Sequence, residues 1–322
     1  VTNTRVYMSA AVIDRFGGID VLEVRTVPVP EVGFDDVLIR VEAAGVGSWD
    51  AVEREGAYDG AFGFESTFPY VLGWDGAGTV AAIGEGVSRF AVGDRVYAAT
   101  MPLPRGGFYA EYAVVEQDHV ARIPDGLTME QAAAMPWDAL TALSGLDALE
   151  LRSGDAVMVF GASGGIGHFA VQLAQRSGAR VFAAASGDDG VALAARLGAE
   201  AVVDGRRQDV VAAARTFAPA GLDAALVTVG GEAADRALIT VREGGRVAFP
   251  NGIVPEPEAR PGVRAVRYDG VRDQEATARL NHLIASGPFE VHVSGSFPID
   301  QVAEAHRALD AHYLGKLVLR VA

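Results

Sequence analysis

The run Val157-Met158-Val159-Phe160-Gly161-Ala162-Ser163-Gly164-Gly165-Ile166-Gly167 constrains this chain more than any other segment. Four apolar residues read as a buried parallel strand, and the glycines that follow lead the chain into a helix. Ile166, Phe169, Ala170, Leu173 and Ala174 fall on one face of that helix. Backbone N–H groups in such a turn can approach a pyrophosphate closely, and the helix N-terminus favours its negative charge. Gly164 and Gly167 hold two of the three fingerprint positions, and Ala162 stands at the first. A glycine-rich turn with no ligand is the plainer alternative. The strand before it and the helix after it weigh against that alternative.

The texture of the chain changes along its length. Up to about Pro124 it reads as all-β, with short apolar runs such as Val37-Leu38-Ile39-Arg40-Val41 and Arg95-Val96-Tyr97-Ala98 between Gly, Pro and Asp clusters. From Ser153 strands and helices alternate. Ala156–Phe160, Arg180–Ala184, Ala201–Val203, Leu222–Thr228 and Gly245–Phe249 read as strands, with helices near 166–177, 189–197, 207–217 and 232–241. That spacing needs crossovers, so it predicts a parallel sheet with helices on both faces and Val263–Arg267 as a sixth, edge strand. Beyond a Pro-rich loop come a helix at Gln274–Ala285, a β segment near Val291–Val293, a helix at 299–311 and a last strand, Lys316–Val321. These last elements are expected to return to the first domain. At 322 residues, two domains each have room for a core.

Composition excludes several classes of function. A formal net charge of −15 argues against nucleic acid and against anionic membrane surfaces. No apolar run is long enough for a membrane span, and the first twenty residues lack the layout of a secretory signal, so the expectation is a cytoplasmic protein. The chain has no cysteine, which removes disulfides, thiolate nucleophiles and Cys-ligated metals. Its six histidines show no metal-binding spacing, and His306 and His312 are expected on opposite sides of one helix. No metal site is expected.

Taken together, the motifs resemble the medium-chain dehydrogenase/reductase superfamily, in its zinc-independent quinone oxidoreductase branch. Gly45-Val46-Gly47-Ser48-Trp49-Asp50 is similar to the family's GVNxxD segment, and Leu72-Gly73-Trp74-Asp75-Gly76-Ala77-Gly78-Thr79-Val80 to LGxDxAGxV. Val92–Val96, Ala139–Ala142, Gly161–Gly167, Val229-Gly230 and Gly315–Val318 match further patterns in the right order. The resemblance implies an α/β chain: a GroES-like β-barrel catalytic domain over 1–124, completed by 272–322, and a doubly wound Rossmann domain over 125–271. It places the active site in the cleft between them. Where zinc-dependent relatives carry a Cys and a His–Glu pair, this chain has Gly47 and Trp74-Asp75. Without that Lewis acid alcohol oxidation is disfavoured, and reduction of a conjugated acceptor stays open.

NADPH is the expected cofactor. The second strand of the wound sheet ends Ala183-Ala184-Ala185-Ser186-Gly187, with no carboxylate at its tip to hold a ribose 2′-hydroxyl. Ser186 could donate to a 2′-phosphate, and Arg206 with Arg207 could supply positive charge, although Asp188 and Asp189 stand nearby and the arginine pair could equally be a solvated loop. Ser163, Gly164, Gly165, Ile166 and Gly167 would hold the pyrophosphate. Phe249 and Asn251 lie in a loop at the carboxyl edge of the fifth strand, where ligands bind in such sheets. The resemblance adds Thr141, Val229 and Lys316 as cofactor contacts, with a helix residue bonding back to its own backbone the plainer role for Thr141 and positioning of the C-terminal strand or a cleft wall the plainer role for Lys316.

On the substrate side, Tyr58 aligns with a segment in which enoyl-thioester reductases of this branch place a proton-donating tyrosine, although Asp59 replaces the family's proline. Tyr58 and Asp50 are the catalytic candidates, with a helix N-cap the plainer role for Asp50. Gly47 replaces the family asparagine, and Trp49, Phe64 and Trp137, with Phe62 and Phe68, are expected to line an apolar pocket. The leading expectation is an NADPH-dependent reductase of quinones or α,β-unsaturated carbonyl compounds acting on a small molecule. The rivals are an enoyl(-thioester) reductase of a biosynthetic pathway and an NADPH-binding protein with a structural or regulatory role and no turnover. The resemblance also implies a homodimer, paired through edge strands of the cofactor domain.

Overall fold

The computed structural model describes residues 6–60, 63, 65–101 and 105–321. They form two units. The first comprises Val1–Trp137, Arg272–Ala285 and Val293–Ala322, and the second Asp138–Val271 with Ser286–His292.

The second unit is built on a six-stranded sheet. In spatial order its strands are Ala201–Asp204, Arg180–Ala185, Ala156–Phe160, Leu222–Val227, Val241–Pro250 and Arg264–Tyr268. Every neighbouring pair is parallel. The strand that precedes the glycine turn is central, and the order reverses beside it, as in doubly wound sheets. Helices on both faces explain why Val157, Met158, Val159, Ala183, Ala225 and Leu226 in the inner strands are all fully buried. The strands anticipated from sequence are present, shifted at their ends by one to a few residues. The edge strand is Arg264–Tyr268, and the helix after the glycines is Gly165–Arg176.

The first unit has a seven-stranded mixed sheet and a three-stranded one. The larger runs Val293–Pro298, Lys316–Arg320, Asp36–Val46, Asp75–Ile83, Arg95–Ala99 and Val120–Arg122, with Tyr112–Glu116 also paired to Asp36–Val46. The smaller contains Glu23–Pro28, Tyr7–Ile13 and Tyr70–Val71. Inward residues of both sheets, among them Ile13, Ile39, Val41, Val71, Val96 and Leu319, share one core. Residues 125–137, expected with the wound sheet, cluster instead with this unit. Helix Met129–Ala134, capped by Thr128 and Gln131 in a reciprocal box, packs on strands Asp36–Val46 and Asp75–Ile83. The C-terminal helix spans Val302–Ala308, so His312 lies past its end and shares no helix with His306.

Candidate active site

In the second unit the glycine turn is shaped by close approach. Gly161 takes φ +87°, a conformation that L side chains rarely adopt. A Cβ at Gly167 would stand 2.1 Å from the Gly161 carbonyl oxygen and 2.8 Å from the Ala162 Cα, so the helix can start this near the strand only with glycine there. At Gly164, the helix N-cap, a Cβ would meet nothing nearer than the Gly161 oxygen at 3.5 Å. The protein therefore leaves space above Gly164, over the first turn of the helix with its forward-facing N–H groups. Gly165 and Ile166 open that turn, and Thr228 Oγ1 braces the strand end by donating to the Phe160 carbonyl at 2.9 Å.

The neighbouring strand ends complete this edge. Ser163, buried, accepts the Ser186 N–H at 3.3 Å, and the two hydroxyl oxygens stand 3.5 Å apart. Ser186 is the N-cap of helix Gly187–Arg196. At the tip of the next strand, Asp204 accepts the backbone N–H groups of Arg206 (3.0 Å) and Gly187 (3.3 Å). Those N–H groups, with Arg207 at 2.7 Å, hold its carboxyl below the usual range. Arg207 also reaches Asp188 at 3.2 Å, whereas Arg206 is exposed and makes no ion pair among the described residues. Val229 is exposed just past strand Leu222–Val227, Phe249 is buried near the end of Val241–Pro250, and Asn251 follows it in an exposed turn. Thr141 is buried within helix Pro136–Ala148.

The first unit gathers the other candidates. All three tryptophans of the chain meet there. Trp74 lies edge-on to Trp137 at 4.5 Å between centroids, Trp137 lies 5.9 Å from Trp49, and Tyr58 packs edge-on to Trp74 at 5.4 Å. Trp74 is buried, while Trp49, Trp137 and Tyr58 are half-buried. Two cations lie over the rings: the Lys316 ammonium 4.7 Å from the Trp49 centroid, and the Arg272 guanidinium 3.3 Å from that of Trp137. Lys316, anticipated among the cofactor contacts, opens strand Lys316–Arg320 in this unit and is buried. Phe68 packs against Phe16 at 5.2 Å. Phe62 and Phe64 lie outside the described residues.

Beneath the tryptophans lies a set of buried acids. Asp50 is the third residue of helix Ser48–Arg54, not its N-cap; Gly47 holds that position, and its N–H donates to Asp50 Oδ2 at 2.7 Å. Burial pushes the Asp50 carboxyl well above the ordinary range despite the Gly47 N–H, and the neighbouring Glu53 and Asp75 carboxyls push it further while Lys316 opposes them. Glu53, on the same helix, accepts from the Tyr70 hydroxyl and from the Trp74 indole N–H, each at 2.5 Å. Its carboxyl is raised to about 7 by desolvation, which outweighs those two hydrogen bonds. Tyr58 is raised by burial and then by the charges of Glu53 and Asp50. Glu53 is not singled out in the sequence, and Trp74 stands there only within a matched motif and in place of a zinc ligand. The available signal was the spacing Asp50/Glu53, which puts two acids on one helical face.

A parallel wound sheet with a glycine turn at its carboxyl edge, and a β-rich unit of this topology, define a dehydrogenase/reductase of the two-domain type. Residues 33–125 match the family described as alcohol dehydrogenase GroES-like domain, and residues 165–262 the family described as zinc-binding dehydrogenase. The chain is 32% identical to the NADPH-dependent alkenal/one oxidoreductase, chloroplastic, of Arabidopsis thaliana, over 97% of this chain and 79% of that protein. It is 30% identical to the quinone oxidoreductase of Sus scrofa, over 97% of each. Among solved structures, a mycobacterial protein complexed with NADPH superposes with a TM-score of 0.83 at 29% identity, covering 98% of this chain and 100% of that one. The chain belongs to the medium-chain dehydrogenase/reductase superfamily, in its quinone oxidoreductase-like branch, and is an oxidoreductase.

Proposed function

We propose that this enzyme uses NADPH to reduce quinones or α,β-unsaturated carbonyl compounds, without zinc. The observation that carries the cofactor assignment is the edge of the wound sheet. Space is left over Gly164 at a helix N-terminus, and the second strand ends in Ser186 rather than in a carboxylate. Ser163, Ser186 and the exposed Arg206 supply donors and one uncommitted positive charge for a 2′-phosphate, while Asp204 spends its carboxylate on backbone N–H groups and Arg207. The relatives named for NADPH support the same reading.

The zinc ion of the matched family description does not fit the residues offered. The chain has no cysteine, Gly47 carries no donor, and the Trp74 indole is committed to Glu53. These positions offer no ligand set for a Lewis acid. A reduced nicotinamide, when bound, supplies a hydride. The rest falls to side chains: Trp49 presents an aromatic surface to a flat acceptor, and Tyr58, kept protonated by its raised pKa, donates a proton to the enolate of an enone. Pairing of two chains would use the exposed edge strand Arg264–Tyr268.

The test follows NADPH absorbance with a panel of small quinones and enones, with and without a chelator. Turnover that the chelator leaves intact is expected. No oxidation of NADPH with either acceptor class would overturn the reading.

A further inference from the structure

The geometry points to Trp49 as the side chain that sets acceptor choice: its indole is the flat wall on which a ring-fused, electron-poor acceptor stacks. This rests on the reading that the enzyme reduces conjugated acceptors, and it names the class of acceptor preferred.

Three segments remote in sequence bring their tryptophans to one place. Trp74 is buried, fixed by Glu53 on its N–H and by Tyr58 and Trp137 on its ring. Trp49 and Trp137 remain half-exposed on that rigid base. Trp49 can lie where it does because residue 47 has no side chain. A Cβ on Gly47 would stand 2.5 Å from both Cε2 and Cζ2 of the indole. Gly47 and Trp49 are thus one device, in which the missing side chain at position 47 makes room for the aromatic surface of position 49.

The chemistry of that surface is selective. Indoles have electron-rich faces and prefer offset stacking on electron-poor rings, a gain that a small aliphatic enone cannot collect. Lys316 and Arg272 bring positive potential to the same rings and favour the oxyanion formed on reduction of either acceptor, so they do not discriminate. Discrimination therefore resides in the stacking wall.

All three tryptophans being in this cluster makes intrinsic fluorescence a local reporter. Menadione is titrated into the wild-type enzyme and into Trp49→Ala and Trp49→Phe without reductant, and kcat/KM is then measured with NADPH for menadione and for methyl vinyl ketone. Saturable quenching is expected in the wild type, with Kd raised about tenfold in Trp49→Ala and largely restored in Trp49→Phe. The preference for menadione over methyl vinyl ketone should fall by a similar factor in Trp49→Ala. A menadione Kd within about twofold of wild type in Trp49→Ala, or an equal loss with both acceptors, overturns the inference. Saturable quenching of this pattern without turnover would refute the proposed reaction and leave the stacking wall standing. Turnover with only linear quenching would do the reverse.

Discussion

The indole N–H of Trp74 donates to Glu53 Oε2 at 2.5 Å, so the buried floor of the tryptophan cluster is held by a carboxylate with almost no contact with water. The Tyr70 hydroxyl holds the other oxygen. Desolvation raises Glu53 from 4.5 to about 7, and the folded state therefore keeps a proton that the unfolded chain has lost. Between those values the native state binds more protons, so stability falls as pH rises, by about 3 kcal/mol at most. Asp50, raised by burial in the same sense, adds to the fall. Glu53→Gln leaves one of the two donors without an acceptor and should cost about 1–3 kcal/mol near pH 5. The variant should also show a shallower decline towards pH 7.5 than the wild type. Urea denaturation at both pH values measures this, and parallel slopes would contradict it.

Two glycines of one turn should fail in different ways. Gly167→Ala drives a Cβ into the Gly161 carbonyl, a backbone atom that cannot step aside, and should destabilise the protein by about 2 kcal/mol or more. Gly164 has extended φ and ψ, and a Cβ there makes only an ordinary contact, so Gly164→Ala should melt within about 3 °C of wild type. Its methyl group would enter the volume reserved for a pyrophosphate and raise the dinucleotide Kd at least about tenfold. Calorimetric melting and titration separate the two outcomes. Binding that survives Gly164→Ala would move the phosphates elsewhere.

These residues also mark what was legible beforehand. The wound sheet could be read because Val157–Phe160 and its neighbours are apolar on both faces, and because Gly161–Gly167 announces the turn in consecutive positions. Strand ends were misjudged by a few residues, as at Val241–Pro250, since the sheet continues where the apolar run has stopped. Helix Met129–Ala134 followed the β-rich unit because its alanines fit against two strands, a preference that local spacing does not encode. The tryptophan cluster was half visible. Trp49 and Trp137 stood out as large apolar residues near matched motifs, but the bond between Glu53 and Trp74 spans 21 positions and has no local signature. The fit between Gly47 and Trp49 is invisible without the distance between them, although they lie two residues apart.

Arg206 should carry the coenzyme preference. Its neighbour Arg207 is tied to Asp204 and Asp188, whereas Arg206 is exposed and makes no ion pair among the described residues. Arg206→Ala should lower the ratio of kcat/KM for NADPH over NADH about tenfold, chiefly through KM. Because the guanidinium is exposed, that preference in the wild type should also shrink as salt is raised. Initial rates with both coenzymes at two ionic strengths test this. A ratio indifferent to Arg206→Ala would shift the assignment to Ser163 and Ser186.

Tyr58 should separate the two acceptor classes. An enone leaves an enolate that needs a carbon-bound proton, whereas a quinone leaves an oxyanion that water can protonate. Burial and the nearby Glu53 and Asp50 raise the phenol, so it should stay protonated across pH 6–9 and impose no fall in rate there. Tyr58→Phe should therefore lower kcat for an enone by about a hundredfold, and for menadione by less than about threefold. The aromatic contact with Trp74 is kept in the phenylalanine variant, so packing alone would not produce that difference. A solvent deuterium isotope effect on enone reduction should be present in the wild type and absent in the variant only if the phenol is the donor. Equal losses with both acceptors would assign Tyr58 to the wall of the site and leave proton delivery to solvent.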